Sequence, residues 1–71
     1  MTMQITVNGD FKNVEDNISV AGLVELLELT NKRLAVEVNE DIIPRSQYEE
    51  CRLKPDDKVE IVHAIGGGRA D

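Results

Sequence analysis

Three successive glycines, Gly66-Gly67-Gly68, stand near the end of the sequence and are followed by Arg69-Ala70-Asp71. Lacking Cβ atoms, such a run enters no core, keeps wide backbone freedom and passes through channels too narrow for other residues. It reads either as a frayed terminus without a role or as an unbranched arm offered to the active sites of other proteins. Other reactive side chains are few. Cys51 is the single cysteine, so no internal disulfide and no cysteine-pair metal or redox motif is available. It reads as a packing residue in preference to a sulfur-relay thiol. His63 is the single histidine, and with no cysteine or second histidine nearby a metal site is not expected there. Its expected job is structural, or contact with a partner that takes up the tail. Nothing resembles a Ser/His/Asp set, a phosphate loop or a paired-carboxylate active site. The chain is therefore read as a non-enzyme, with no catalytic residue, cofactor or metal of its own.

The bulk composition narrows the partners. A 71-residue chain is one domain and buries only about 60% of the surface its unfolded form exposes, which leaves little room for a substrate cavity beside a core. Eight Lys and Arg against fourteen Asp and Glu give a net charge of -6. No basic face is available to replace phosphate counterions, so nucleic acid and anionic membrane surfaces are not expected partners. The acidic residues are dispersed, which suits either a solvated surface or docking on a basic protein surface. No signal-peptide pattern opens the sequence and its apolar runs are too short to span a bilayer. The expected location is the cytoplasm.

The elements that must carry the glycine arm follow from periodicity. Met3, Ile5 and Val7 alternate with Gln4, Thr6 and Asn8, as in a half-buried strand. The Asn8-Gly9 pair signals a hairpin, and the returning strand spans Phe11 to about Glu15 with Phe11 as its core anchor. Ser19 is the preferred N-cap of a helix. Val20, Leu23, Val24 and Leu27 share one face of it, and Leu26 widens the stripe. Gly22 lets that helix approach the sheet closely, and the helix fades near Thr30-Asn31. Leu34, Val36 and Val38 mark a third strand, and Asn39-Glu40-Asp41 a turn. Ile42-Ile43 is a short extended piece before Pro44, and residues 46–50 form one helical turn carrying Tyr48. After a turn at Pro55-Asp56-Asp57, a last strand runs from Lys58 to about Ile65. This order predicts an α+β chain of the β-grasp (ubiquitin-like) type: a mixed sheet of four to five strands with one main helix on one face. The predicted core is Ile5, Val7, Phe11, Leu23, Leu27, Val36, Val38, Leu53, Val59 and Ile61. Residues 1–65 form the domain and residues 66–71 a flexible glycine-rich tail.

Two stretches carry a family resemblance. The segment Leu34-Ala35-Val36-Glu37-Val38-Asn39-Glu40-Asp41-Ile42-Ile43-Pro44-Arg45-Ser46-Gln47-Tyr48 resembles the central stretch of the ThiS family, the sulfur carriers of thiamine biosynthesis. Val59-Glu60-Ile61-Val62-His63-Ala64-Ile65-Gly66-Gly67-Gly68 is similar to that family's final strand and tail. The resemblance covers about Met3 to Gly68. It implies carrier chemistry. An adenylating enzyme (ThiF) activates the terminal glycine carboxylate with ATP, and sulfur from a cysteine persulfide, supplied by a cysteine desulfurase or related donor, displaces AMP. A thiazole synthase (ThiG) consumes the resulting thiocarboxylate. Matched to this sequence, Gly68 would carry the sulfur and Gly66 and Gly67 would form the tail. In the family the diglycine ends the chain, whereas here Arg69-Ala70-Asp71 follow and make the Gly68 carbonyl a peptide amide. Either these three residues are removed by a trimming protease, which is the preferred reading, or they are not native to the chain, or the chain is inactive as a carrier.

Around that tail, Val62 and Ala64 fall on the outward parity of the last strand, and together with Ile65 they read as a docking surface for the partner enzymes or as scattered exposed apolar residues. Arg45 and Tyr48 either shape their loop or touch a partner, the Tyr48 ring suiting the cover of a small core. Two rival functions stay open. One is a sulfur carrier for molybdopterin or another pathway; the small subunit of molybdopterin synthase shares the fold and terminal Gly-Gly but fits residues 39–45 less well. The other is a β-grasp interaction module without tail chemistry, since this fold hosts many functions.

Overall fold

A computed structural model describes residues 1–63. Its elements are β1 (Thr2–Val7), β2 (Asp10–Glu15), α1 (Val20–Leu26), β3 (Leu34–Val38), β4 (Asp41–Ile43), a 3-10 turn (Arg45–Gln47) and β5 (Lys58–His63). The strands form one five-stranded sheet in the order β2-β1-β5-β3-β4. β1 and β2 are antiparallel, β1 and β5 parallel, and β5 and β3 antiparallel. This mixed sheet with a single helix is the expected β-grasp. Among the described residues no helix is long and apolar enough to cross a membrane.

The two hairpins are built alike. Asn8 and Gly9 take φ values of 52° and 87°, and Asn39 and Glu40 take 52° and 73°. Paired positive φ values mark the turns whose twist matches that of the strands they join. Each asparagine then does a second job. The Asn8 side chain accepts from Ile61 N–H at 2.8 Å and donates to Ile61 C=O at 3.0 Å. Its own N–H donates to Val59 C=O at 2.9 Å. The Asn39 side chain accepts from Lys58 N–H at 2.9 Å and donates to Asp57 Oδ1 at 3.0 Å. β5, which leads toward the glycines, is thus clipped by a turn from each side.

The two-residue turn also corrects one expectation. It fixes the register Val7–Asp10, so Phe11 pairs with Thr6 and lies on the outer face, 73% exposed. Val14, opposite Met3, takes the core position assigned to Phe11. The core consists of Met3, Ile5, Val7 and Val14 from the first hairpin, Val20, Leu23 and Val24 from α1, Val36 and Val38 from β3, and Leu53, Val59 and Ile61. Leu27 is partly buried against it.

Helix α1 begins as expected, with the Ser19 hydroxyl accepting from Gly22 N–H at 3.0 Å. It ends earlier than the apolar stripe suggests. Glu28 turns left-handed at φ 61°. Its N–H donates to Glu25 C=O, and Leu29 N–H donates to Val24 C=O at 2.9 Å. That pair of bonds is a Schellman closure, made here without the usual glycine, so Thr30 and Asn31 lie beyond the helix. Gly22 serves a different neighbour from the one predicted. A Cβ there would stand 3.0 Å from the Ile18 side chain and 3.4 Å from Ser19 Oγ, so the close approach is to the segment entering the helix and not to the sheet. That segment is held in turn by residues 51–53, through Val20 N–H to Cys51 C=O and Leu53 N–H to Ile18 C=O.

Candidate functional site

The helix covers one face of the sheet and leaves the other open. Paired residues share a face, so the register sets out the open face row by row. Phe11, Thr6 and Lys58 lie in one row. Glu60, Glu37 and Ile42 form the next, and Val62 with Ala35 the one nearest the end of β5. Val62 is 58% exposed and Ile42 71%. The predicted outward position of Val62 is therefore occupied, beside two apolar residues, Ala35 and Ile42, that sequence parity did not single out. Ala64, Ile65, Gly66, Gly67 and Gly68 lie outside the described residues, as does the proposed boundary between domain and tail.

Charge on this face is uneven. Lys58 Nζ lies 3.7 Å from Glu60 Oε2, with both side chains about half exposed; such a pair contributes little to stability. Glu37 stands directly opposite Glu60 and is half-buried. These carboxylates went unmarked in the sequence because their neighbourhood depends on the β3–β5 register, which no local pattern encodes.

The remaining candidates fall elsewhere. His63 pairs with Leu34 on the helix-side parity yet is exposed at the strand end. Cys51 is half-buried against the core, its N–H bonded to Gln47 C=O at 2.9 Å. Tyr48 is also packed against the core. With Arg45, Lys32 and Glu25 it lines a groove of about 490 Å³ between the end of α1 and the 3-10 turn. That groove mixes carboxylates and cations without bringing a nucleophile to a base. Among the described residues no three metal-donor side chains come together. What the described residues offer is an open, partly apolar sheet face on β5, the strand that precedes the glycines in sequence.

The model of the ThiS family matches residues 5–68, ending on the third glycine. The sulfur carrier protein ThiS of Bacillus subtilis is 38% identical over 65 residues, covering 90% of this chain and 98% of that one. A thiazole synthase of Paramagnetospirillum magneticum is 36% identical over 66 residues, which are 93% of this chain but 20% of the synthase; the chain thus spans about a fifth of that relative's length. Among solved structures, the thiamine biosynthesis protein (ThiS) from Geobacter metallireducens superposes with a TM-score of 0.82 at 29% identity, covering 93% of this chain and all of that one.

Proposed function

The chain belongs to the ThiS family, and from that premise we propose that it is a cytoplasmic sulfur carrier of thiamine biosynthesis which holds its sulfur as a thiocarboxylate on Gly68. The observation that carries this reading is the family match running to Gly68. That match supports the reading because it spans the folded body and the unbranched glycine segment together.

The chemistry asks little of the body. A carboxylate is a poor acyl donor until one oxygen belongs to a good leaving group. A ThiF-like enzyme supplies this by joining the Gly68 carboxylate to AMP and releasing pyrophosphate. The outer sulfur of a persulfide, provided by a cysteine desulfurase or related donor, then attacks the acyl carbon and AMP leaves. A thiol cleaves the remaining S–S bond, which frees the thiocarboxylate and forms a disulfide. The thioacid serves as the sulfur nucleophile for a ThiG-like thiazole synthase. The named relative in which a segment like this one is part of a thiazole synthase supports that enzyme as the sulfur acceptor. Gly66, Gly67 and Gly68 act as the arm that enters both active sites, while the face around Val62, extended by Ala64 and Ile65, docks the body. Because Arg69-Ala70-Asp71 follow Gly68, a trimming protease must expose the Gly68 carboxylate before activation.

The test is ATP–pyrophosphate exchange with a ThiF-type enzyme and a chain ending at Gly68. Exchange is expected with that chain, and it should slow with Gly68→Ala, whose Cβ sits beside the reacting carbon in a channel shaped for glycine. Equal exchange by both chains would contradict the assignment of Gly68.

A further inference from the structure

Folding alone does not account for the middle row of the open face. Glu37 and Glu60 are directly opposed in the β3–β5 register, and like charges in opposed positions destabilise a sheet. Lys58 reaches Glu60, but among the described residues no cation lies within ion-pair distance of Glu37. Ile42 faces Glu37 from the other side, and Val62 and Ala35 occupy the next row. Two carboxylates therefore stand side by side on an exposed face, bordered by apolar residues.

We propose that Glu37 and Glu60 together receive one arginine side chain of the adenylating enzyme, with Val62, Ala35 and Ile42 packing against its stem. This rests on the carrier reading above and names the chemistry of the partner surface. Charge complementarity selects a cation, since Lys58 reaches Glu60 alone and a positive group between the two carboxylates relieves the repulsion that remains. Geometry selects arginine over lysine. Its planar guanidinium directs several N–H donors outward and can bond two carboxylates at once, whereas an ammonium is a single, strongly hydrated point. The methylene stem suits the apolar border. β5 carries Glu60 and Val62 and is continuous in sequence with the glycines, so an arginine seated in this row fixes where the arm starts on the enzyme surface.

The experiment measures binding of the full chain to a ThiF-type adenylating enzyme by calorimetry at two salt concentrations, with thermal unfolding of each variant alongside. Glu37→Gln and Glu60→Gln should each raise Kd about tenfold. Each should leave the unfolding midpoint unchanged or higher, since the repulsion is gone, and the double variant should show a flatter salt dependence. Two results overturn the inference while sparing the carrier reading. One is an unchanged Kd in both glutamine variants when Val62→Asp abolishes binding; the other is a lowered midpoint that accounts for any loss of binding. A wild-type chain that neither binds nor undergoes adenylation once released at Gly68 removes the carrier reading, and this inference with it.

Discussion

Replacing Asn8 with alanine tests how the fold holds the strand that leads to the glycines. The Asn8 side chain makes two partly buried hydrogen bonds to the Ile61 backbone, at 2.8 and 3.0 Å. Each contributes about 1 kcal/mol. Asn8 also sits at φ 52°, where asparagine is tolerated and a residue with a plain Cβ costs about 1 kcal/mol more. Asn8→Ala should therefore lose about 3 kcal/mol, and Asn8→Gly, which keeps the backbone freedom, about 2 kcal/mol. Asn8→Asp should also lose stability, because it retains the acceptor for Ile61 N–H but turns a carboxylate oxygen toward Ile61 C=O. Against a total stability of about 4–10 kcal/mol for 71 residues, the alanine change removes roughly 30–75%. It should lower the melting midpoint by roughly 12–24 °C. Urea unfolding followed by circular dichroism measures this, with an unchanged m value showing that the unfolded reference is the same. Losses below about 0.5 kcal/mol for both alanine and glycine would refute the view that this turn clips β5.

Two further outcomes follow from the register and the helix end. Glu28→Gly should raise stability by about 0.5–1 kcal/mol in the same urea assay, since Glu28 holds the left-handed closing position of α1 at φ 61° and glycine adopts it without strain. Phe11→Ser should change stability by less than about 0.5 kcal/mol, whereas Val14→Ala, at a site 3% exposed, should cost about 1–3 kcal/mol; the reverse ranking would mean that the hairpin register is wrong.

Much of this architecture was legible in the chain because its signals are local. The alternation of Met3, Ile5 and Val7, the Asn8-Gly9 turn and the Ser19 cap each act within a few residues, and each appears where its chemistry places it. Phe11 lies on the outer face because the count of residues in the turn, and not the hydrophobicity of its side chain, decides the face. The end of α1 was hidden because Glu28 does what glycine usually does, leaving no compositional mark. On the functional side, the glycines and Val62 were visible as a run and a parity. The opposition of Glu37 and Glu60 was not, because it arises between strands separated in sequence by β4, a 3-10 turn and their connecting loops.

The most direct test of the central claim is the intact mass of the chain after incubation with a ThiF-type enzyme, ATP and a persulfide sulfur source. A chain ending at Gly68 should gain the mass difference of one sulfur replacing one oxygen, and the chain ending at Asp71 should stay unchanged until a protease exposes Gly68. Equal thiocarboxylate formation on both chains without trimming, or none on either with an enzyme active on another carrier, would contradict the account.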